Sequence, residues 1–272
     1  MTWMHLDDVA LRYEITGQGP QTLVLLHELG GSLDSFDTLV PLFGDGLRVL
    51  RHDLRGAGLS EKPRAAFSFD DHVTDLRKLL AAIGIDGPVH IAGVAAGAAL
   101  AVSFALAYPD RVSSLALCAP ALGVDADRIQ YLSRRSELCM RAGMRAVAGD
   151  TLDRSYPKVM RRDHAAYLGY LGRFLANDPV GYAHNNLAFA KVNLFGRLKD
   201  VPHRCLVLAG AHDLLRPQEQ VAALARLFPH AELATVESGH LMPVQAPAEM
   251  ADRLAAFFAQ SDQETLHANQ GV

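Results

Sequence analysis

The chain has 272 residues, of which 50% are hydrophobic and 21% charged, with a formal net charge of −4. That length is enough for one large α/β core or two small domains, and the mild acidity gives no reason to expect nucleic acid or an anionic membrane as partner. Cys118, Cys139 and Cys205 form no close pair and read as reduced thiols, and residues 1–8 lack the basic-then-apolar leader of a secreted protein, so a cytoplasmic location is expected.

In chain order, residues 9–16 alternate as an early strand, closed by Gly17-Gln-Gly-Pro20. Residues 22–27 are a continuous apolar run of the kind buried on both faces of a parallel sheet. A glycine loop follows (Glu28-Leu29-Gly30-Gly31-Ser32), then an expected helix over 33–43 and a strand over 47–53. Residues 70–83 carry Val73, Leu76, Leu79, Leu80 and Ile83 at helical spacing, with Asp70 or Asp71 as cap and Gly84 at the end. The strand pattern returns at 88–92 and 114–119 and disappears between 122 and 199, a helical, arginine-rich stretch. Strands are then expected at 204–210 and 233–237 and helices at 217–228 and 247–258, with a polar, frayed tail over about 260–272. Strands alternating with helices predict an α/β fold: a mostly parallel central sheet with helices on both faces. Residues 1–121 and 200–272 would form the core, and 122–199 an inserted helical lid.

The stretch that organises the chain is Gly93-Val94-Ala95-Ala96-Gly97, where an apolar strand meets an alanine-rich helix. A strand, a tight turn between small residues and a helix pointing back at the turn make a nucleophile elbow. The apex should be Ser, Cys or Asp; here it is Ala95. An uncharged run over 91–108 with glycines four apart also resembles a membrane span, a reading that the strand-like start and the glycine turn oppose. Two further loops follow strand ends, Gly210-Ala-His-Asp213 and Ser238-Gly-His240. In the order elbow, Asp, His, they supply what acyl transfer needs: His240 to move the nucleophile's proton and Asp213 to orient and charge-balance the imidazole. Backbone N–H groups of Ala96, at the helix start, and of Leu29, in the loop after His27, are the expected oxyanion donors.

Together these residues resemble the α/β-hydrolase superfamily over nearly the whole chain. His27-Glu-Leu-Gly-Gly-Ser32 is similar to its His-Gly-x-Gly oxyanion loop, and Asp53-Leu-Arg-Gly-Ala-Gly-Leu-Ser60 to its Asp-x-Arg-Gly-x-Gly-x-Ser segment. Within it, the spacing, the short lid and Asp178-Pro-Val-Gly-Tyr182 are most similar to the 3-oxoadipate enol-lactonase-like branch, which cleaves lactones, esters and some amides of small carboxylated molecules. The resemblance implies a cofactor-free serine hydrolase acting on a small molecule, with homo-oligomers allowed.

Two residues depart from the pattern. Glu28 stands where the family has a small residue, and its carboxylate either faces solvent and caps the loop or lines the pocket. Ala95 is read as the replacement of a serine, leaving a form that holds substrate without turning it over. For substrate contacts the lid offers Tyr131, Arg134 and Arg135, one of the arginines clamping a carboxylate; Leu241 and Met242 are expected as an apolar wall. Three other readings fit the same residues: a non-catalytic binding protein, a cofactor-independent His/Asp oxygenase, and a carbon–carbon bond hydrolase. No metal-binding, dinucleotide or phosphate-loop motif stands out in the sequence.

Overall fold

The structure, a computed structural model, describes the backbone of residues 2–270 and the side chains of residues 2–260. Of the tail expected to fray, residues 260–270 continue the last helix in the backbone, beyond the expected helix end at 258, and residues 271–272 lie outside the described residues.

The strands are β1 (Thr2–His5), β2 (Ala10–Thr16), β3 (Thr22–Leu26), β4 (Arg48–His52), β5 (Val89–Val94), β6 (Val112–Cys118), β7 (Cys205–Gly210) and β8 (Ala231–Val236). They form one sheet in the order β1-β2-β4-β3-β5-β6-β7-β8. β1 pairs antiparallel with β2 and β2 with β4; every other pairing is parallel. The helices are α1 (Phe69–Ala82), α2 (Ala96–Ala107), α3 (Ala126–Ala142), α4 (Arg145–Ser155), α5 (His164–Leu175), α6 (Pro179–Phe189), α7 (Gln218–Ala225), α8 (Met242–Gln245) and α9 (Pro247–Gln270).

The central strands are buried along their length, and alternate residues feed two cores. Val24, Leu26, Ile91, Leu115 and Val207 pack in the same core as residues of α1, α2 and α7. Leu23, Leu25, Ala92, Ala116 and Leu206 pack on the opposite face with Met250, Leu254 and Phe258 of α9. The period of two is therefore hidden in the sequence as a continuous apolar run. The uncharged 91–108 run is β5, the elbow and α2, whose positions 96–102 are all buried. No helix among the described residues is long and apolar enough to cross a membrane.

Two local expectations differ from the structure, and one strand was not expected. Residues 33–43 form two short 3-10 segments, Leu33–Phe36 and Val40–Phe43, instead of one helix. Pro41 has no N–H to donate to a preceding turn, and the Leu33 N–H is taken by Asp53 Oδ1 at 2.7 Å. The cap of α1 is Ser68, whose hydroxyl and backbone pair reciprocally with Asp71. β1 is a short, mostly exposed edge strand that left no apolar pattern to read. Between β6 and β7 the chain holds helices α3–α6, 3-10 turns and a single isolated bridge, Gly123 to Asn193.

Candidate active site

Parallel strands end on one edge of a sheet, and the loops that leave that edge meet there. Register places the ends of β3 and β5 side by side (Leu26 opposite Gly93), and Gly210 of β7 opposite Val236 of β8. The four loops singled out in the sequence therefore share one rim.

The elbow is set by steric necessity. Ala95 has φ 52° and ψ −110°, one of two non-glycine residues with positive φ among those described. Its N–H donates to Cys118 O at 2.9 Å, and its carbonyl accepts from Ala121 N at 3.2 Å, so neighbouring chain holds the strain in place. A Cβ on Gly93 would meet Gly97 O at 2.3 Å, and one on Gly97 would meet Leu26 O at 2.3 Å. Only glycine permits those approaches. Ala96 opens α2, so its N–H is one of the helix's orphan donors.

The acid and base loops are stitched together. His212 N donates to Ser238 O at 2.9 Å, and a side chain at Gly210 would strike Gly239 O. This brings His240 Nδ1 to 2.8 Å from Asp213 Oδ2, with the Asp213 side chain fully buried. Asp213 Oδ1 accepts from the N–H groups of Leu215 (2.7 Å) and Arg216 (3.0 Å). Burial pushes the Asp213 carboxyl up, but the His240 charge and hydrogen bond with the two N–H groups outweigh it and hold the carboxyl below its ordinary value. With Asp213 accepting, Nδ1 carries the imidazole proton and Nε2 is left as the acceptor.

The loop after β3 is fixed from behind. Leu54 N donates to His27 Nε2 at 3.1 Å, so His27 Nδ1 carries the proton and donates to Glu28 O at 2.8 Å. Asp53, fully buried, accepts from Leu33 N at 2.7 Å and Leu59 N at 2.6 Å. A Cβ on Gly58 (φ 49°) would meet the Asp53 carboxylate at 2.2 Å. The 53–60 motif is thus a clamp that holds the β3 loop.

A cavity of about 550 Å³, counting its open mouth, joins these loops to the helices above. Ala95, Ala96, Leu29, His240, Glu28 and Leu241 all line it. Of the two alternatives for Glu28, the structure takes the pocket: the residue is 3% exposed. Its Oε1 accepts from the Tyr170 hydroxyl at 2.7 Å and the Ser35 hydroxyl at 3.0 Å, while Oε2 is buried without a partner. Tyr170 titrates well above a normal tyrosine, through burial first and then the Glu28 charge and hydrogen bond.

The helices contribute Arg135 and Arg128 of α3 to the same cavity, and Arg216 joins them from the acid loop. Burial pulls the pKa of all three guanidinium groups down. The Nε atoms of Arg128 and Arg135 are buried without a partner, and none of the three forms an ion pair among the described residues. Three of the expected contacts are corrected. Arg134 is exposed and lies outside the lining, because adjacent residues on a helix sit about 100° apart. Tyr131 stands behind the lining, its ring under Arg128 (4.5 Å) and Arg135 (5.8 Å) and its hydroxyl donating to Asp150 at 2.5 Å. Met242 is fully buried in the core with Phe36 and Met250.

Arg128, Arg216 and Tyr170 were not found from the sequence. The signal for Arg128 was present: it stands seven residues, two helical turns, before Arg135. Arg135 itself shares a stripe with Leu132, Ser136 and Cys139, all buried.

This chain matches the family model of the alpha/beta hydrolase fold over residues 21–247, and it belongs to that family. Among curated proteins it is 28% identical over 258 residues to a candidate carbamate hydrolase, RutD, of Caulobacter segnis, covering 90% of this chain and 95% of that one. It is 25% identical over 242 residues to 3-oxoadipate enol-lactonase 2 of Acinetobacter baylyi, covering 88% and 90%. Among solved structures, the enol-lactonase of Burkholderia xenovorans LB400 superposes with a TM-score of 0.89 at 24% identity, covering 95% of this chain and 100% of that one.

Proposed function

We propose that this chain is built as a serine-type hydrolase for an ester, lactone or amide bond of a small carboxylated molecule, and that Ala95 stands where the attacking hydroxyl acts. The observation that carries the reading is the His240 Nδ1 to Asp213 Oδ2 hydrogen bond of 2.8 Å, in a pocket that the elbow residue also lines. A hydroxyl at position 95 would give its proton to His240 Nε2 and attack the carbonyl carbon. The N–H groups of Leu29 and Ala96 would hold the developing oxyanion. His240 would return the proton to the leaving group, and water would then hydrolyse the acyl-enzyme by the same relay.

The carboxylated substrate is supported by Arg128, Arg135 and Arg216, three arginines at one pocket that form no ion pair among the described residues. Arg cannot shed its charge, so a buried guanidinium without an anion is a standing cost that a ligand carboxylate removes. The hydrolase names of the relatives, a carbamate hydrolase and an enol-lactonase, point to the same reaction class. Helices α3–α6 act as the lid, and α3 supplies Arg128 and Arg135 of this clamp.

As the chain stands, the covalent route is closed and substrate is held unreacted. The test is Ala95→Ser on a panel of small anionic esters, lactones and amides. Turnover should rise by on the order of 10⁴-fold or more over the alanine form. A serine form that turns over nothing on the panel overturns the hydrolase reading and favours a binding protein on this fold.

A further inference from the structure

The proposed function leaves the bond type open among ester, lactone and amide. Glu28 bears on that choice. It directly precedes Leu29, the proposed oxyanion donor, and both residues line the cavity. Its surroundings are closed. Tyr170 and Ser35 both donate to Oε1, and a Cβ on Gly31 would meet that same oxygen at 2.3 Å, so the side chain has one place to lie. The second oxygen, Oε2, is buried without a partner in a residue only 3% exposed that lines the cavity.

A buried acceptor without a donor is costly, and the cost is largest for a charged group. The arginines do not relieve it, since among the described residues Glu28 forms no ion pair. The pocket therefore presents two unlike demands: cations needing an anion and a carboxylate oxygen needing a donor. An ester or lactone has only acceptor oxygens around its carbonyl, and against Glu28 these are repelled. A secondary amide carries an N–H on the atom next to the carbonyl carbon.

We infer that Glu28 is a specificity-determining residue that accepts the substrate's amide N–H, and that the ligand is an N-acyl amino acid, its carboxylate on the arginines. This rests on the anion-binding part of the proposed function and narrows its bond type. Glu28 positions the amide and takes no proton from it.

The experiment is calorimetric titration of the chain as given, which lacks the nucleophile and leaves the ligands intact. The probes are N-acetyl-, N-butyryl- and N-benzoylglycine, each set against the O-acyl glycolate in which N–H is replaced by oxygen. At least one amide should bind about tenfold or more tighter than its ester. In Glu28→Gln, whose amide group can turn a donor to the ester, the two should approach equality, whereas a purely structural loss would weaken both alike. Equal binding, tighter ester binding, or no binding of any amide by the folded chain overturns the inference, and none of these needs the variant to fold. The hydrolase reading is judged apart from this. Ester turnover by Ala95→Ser with ester-preferring binding keeps that reading and sinks this one; amide-preferring binding without turnover in Ala95→Ser does the reverse.

Discussion

Arg55 and Arg135 are buried to nearly the same degree, 4% and 9% exposed, and the fold treats them in opposite ways. Arg55 Nε and Nη2 donate to the two oxygens of buried Asp75 at 2.7 and 2.6 Å, and Nη1 reaches Asp8 at 3.1 Å. Among the described residues Arg135 pairs with no carboxylate; Tyr131 and Tyr182 present ring faces to it at 5.8 and 5.1 Å. Aromatic faces offset part of the desolvation of a guanidinium but do not use its planar fork. A buried charge completed by the chain belongs to the scaffold. A buried charge left incomplete beside a cavity is open to a ligand.

Removing the scaffold's partner should have the larger effect on stability. Asp75→Ala strands a guanidinium that cannot lose its proton, with exposed Asp8 as its remaining carboxylate among the described residues, at a cost of about 3 kcal/mol. Arg55→Met should cost less in mild acid, because burial already pushes the Asp75 carboxyl above its ordinary value and protonation would neutralise it. Urea denaturation of both variants at pH 7.5 and pH 5.5 reads this directly. Equal costs at the two pH values would show that Asp75 stays charged without Arg55.

Arg135→Met should reverse the pattern. With no ion pair to break, stability should hold or rise, while affinity for a carboxylated ligand should fall about 10- to 100-fold. Thermal unfolding and ligand titration on the same sample separate the two effects. A loss of stability matching that of Asp75→Ala would make Arg135 a scaffold residue.

The same contrast explains what the sequence discloses. The rim is built by backbone geometry: glycines at 93, 97, 58 and 210 are required by close approach or positive φ, and Asp213 and His240 sit in short loops of fixed length after strands. Such constraints leave residue types at fixed spacings, so the parallel sheet, the elbow geometry and the pairing of Asp213 with His240 could be read in advance. The helices between β6 and β7 are held by side-chain packing such as Tyr156, Tyr170 and Phe174, which many sequences satisfy. Arg134 and Arg135 are chemically identical in the sequence and differ only in which way α3 turns. Met242 follows Leu241 into a helix of four residues and is carried into the core, a turn that nothing in the composition announces.

A third buried group gives the smallest effect and tests whether lost charge, rather than burial, separates scaffold from site. His52, at the end of β4, is 1% exposed and both ring nitrogens lack partners. Burial first, then the charges of His27 and His72, push its pKa from 6.5 down to about 3. Unlike Arg135 it can be neutral, so at pH 7.5 it is tolerated without a ligand. Below 6.5 the unfolded chain takes up a proton that the folded chain refuses. Stability therefore falls with pH, by up to about 1.4 kcal/mol per unit for this one group, until the folded pKa is reached. His72, pushed to about 3 in the same way, adds a parallel loss that a His52 variant keeps. His52→Leu should thus match the parent in its pH dependence above pH 7 and lose stability less steeply between pH 6 and 4.5, by urea midpoints. Curves that stay parallel throughout would mean that the folded chain takes up the proton at His52, and that burial without a partner does not by itself keep a histidine neutral here.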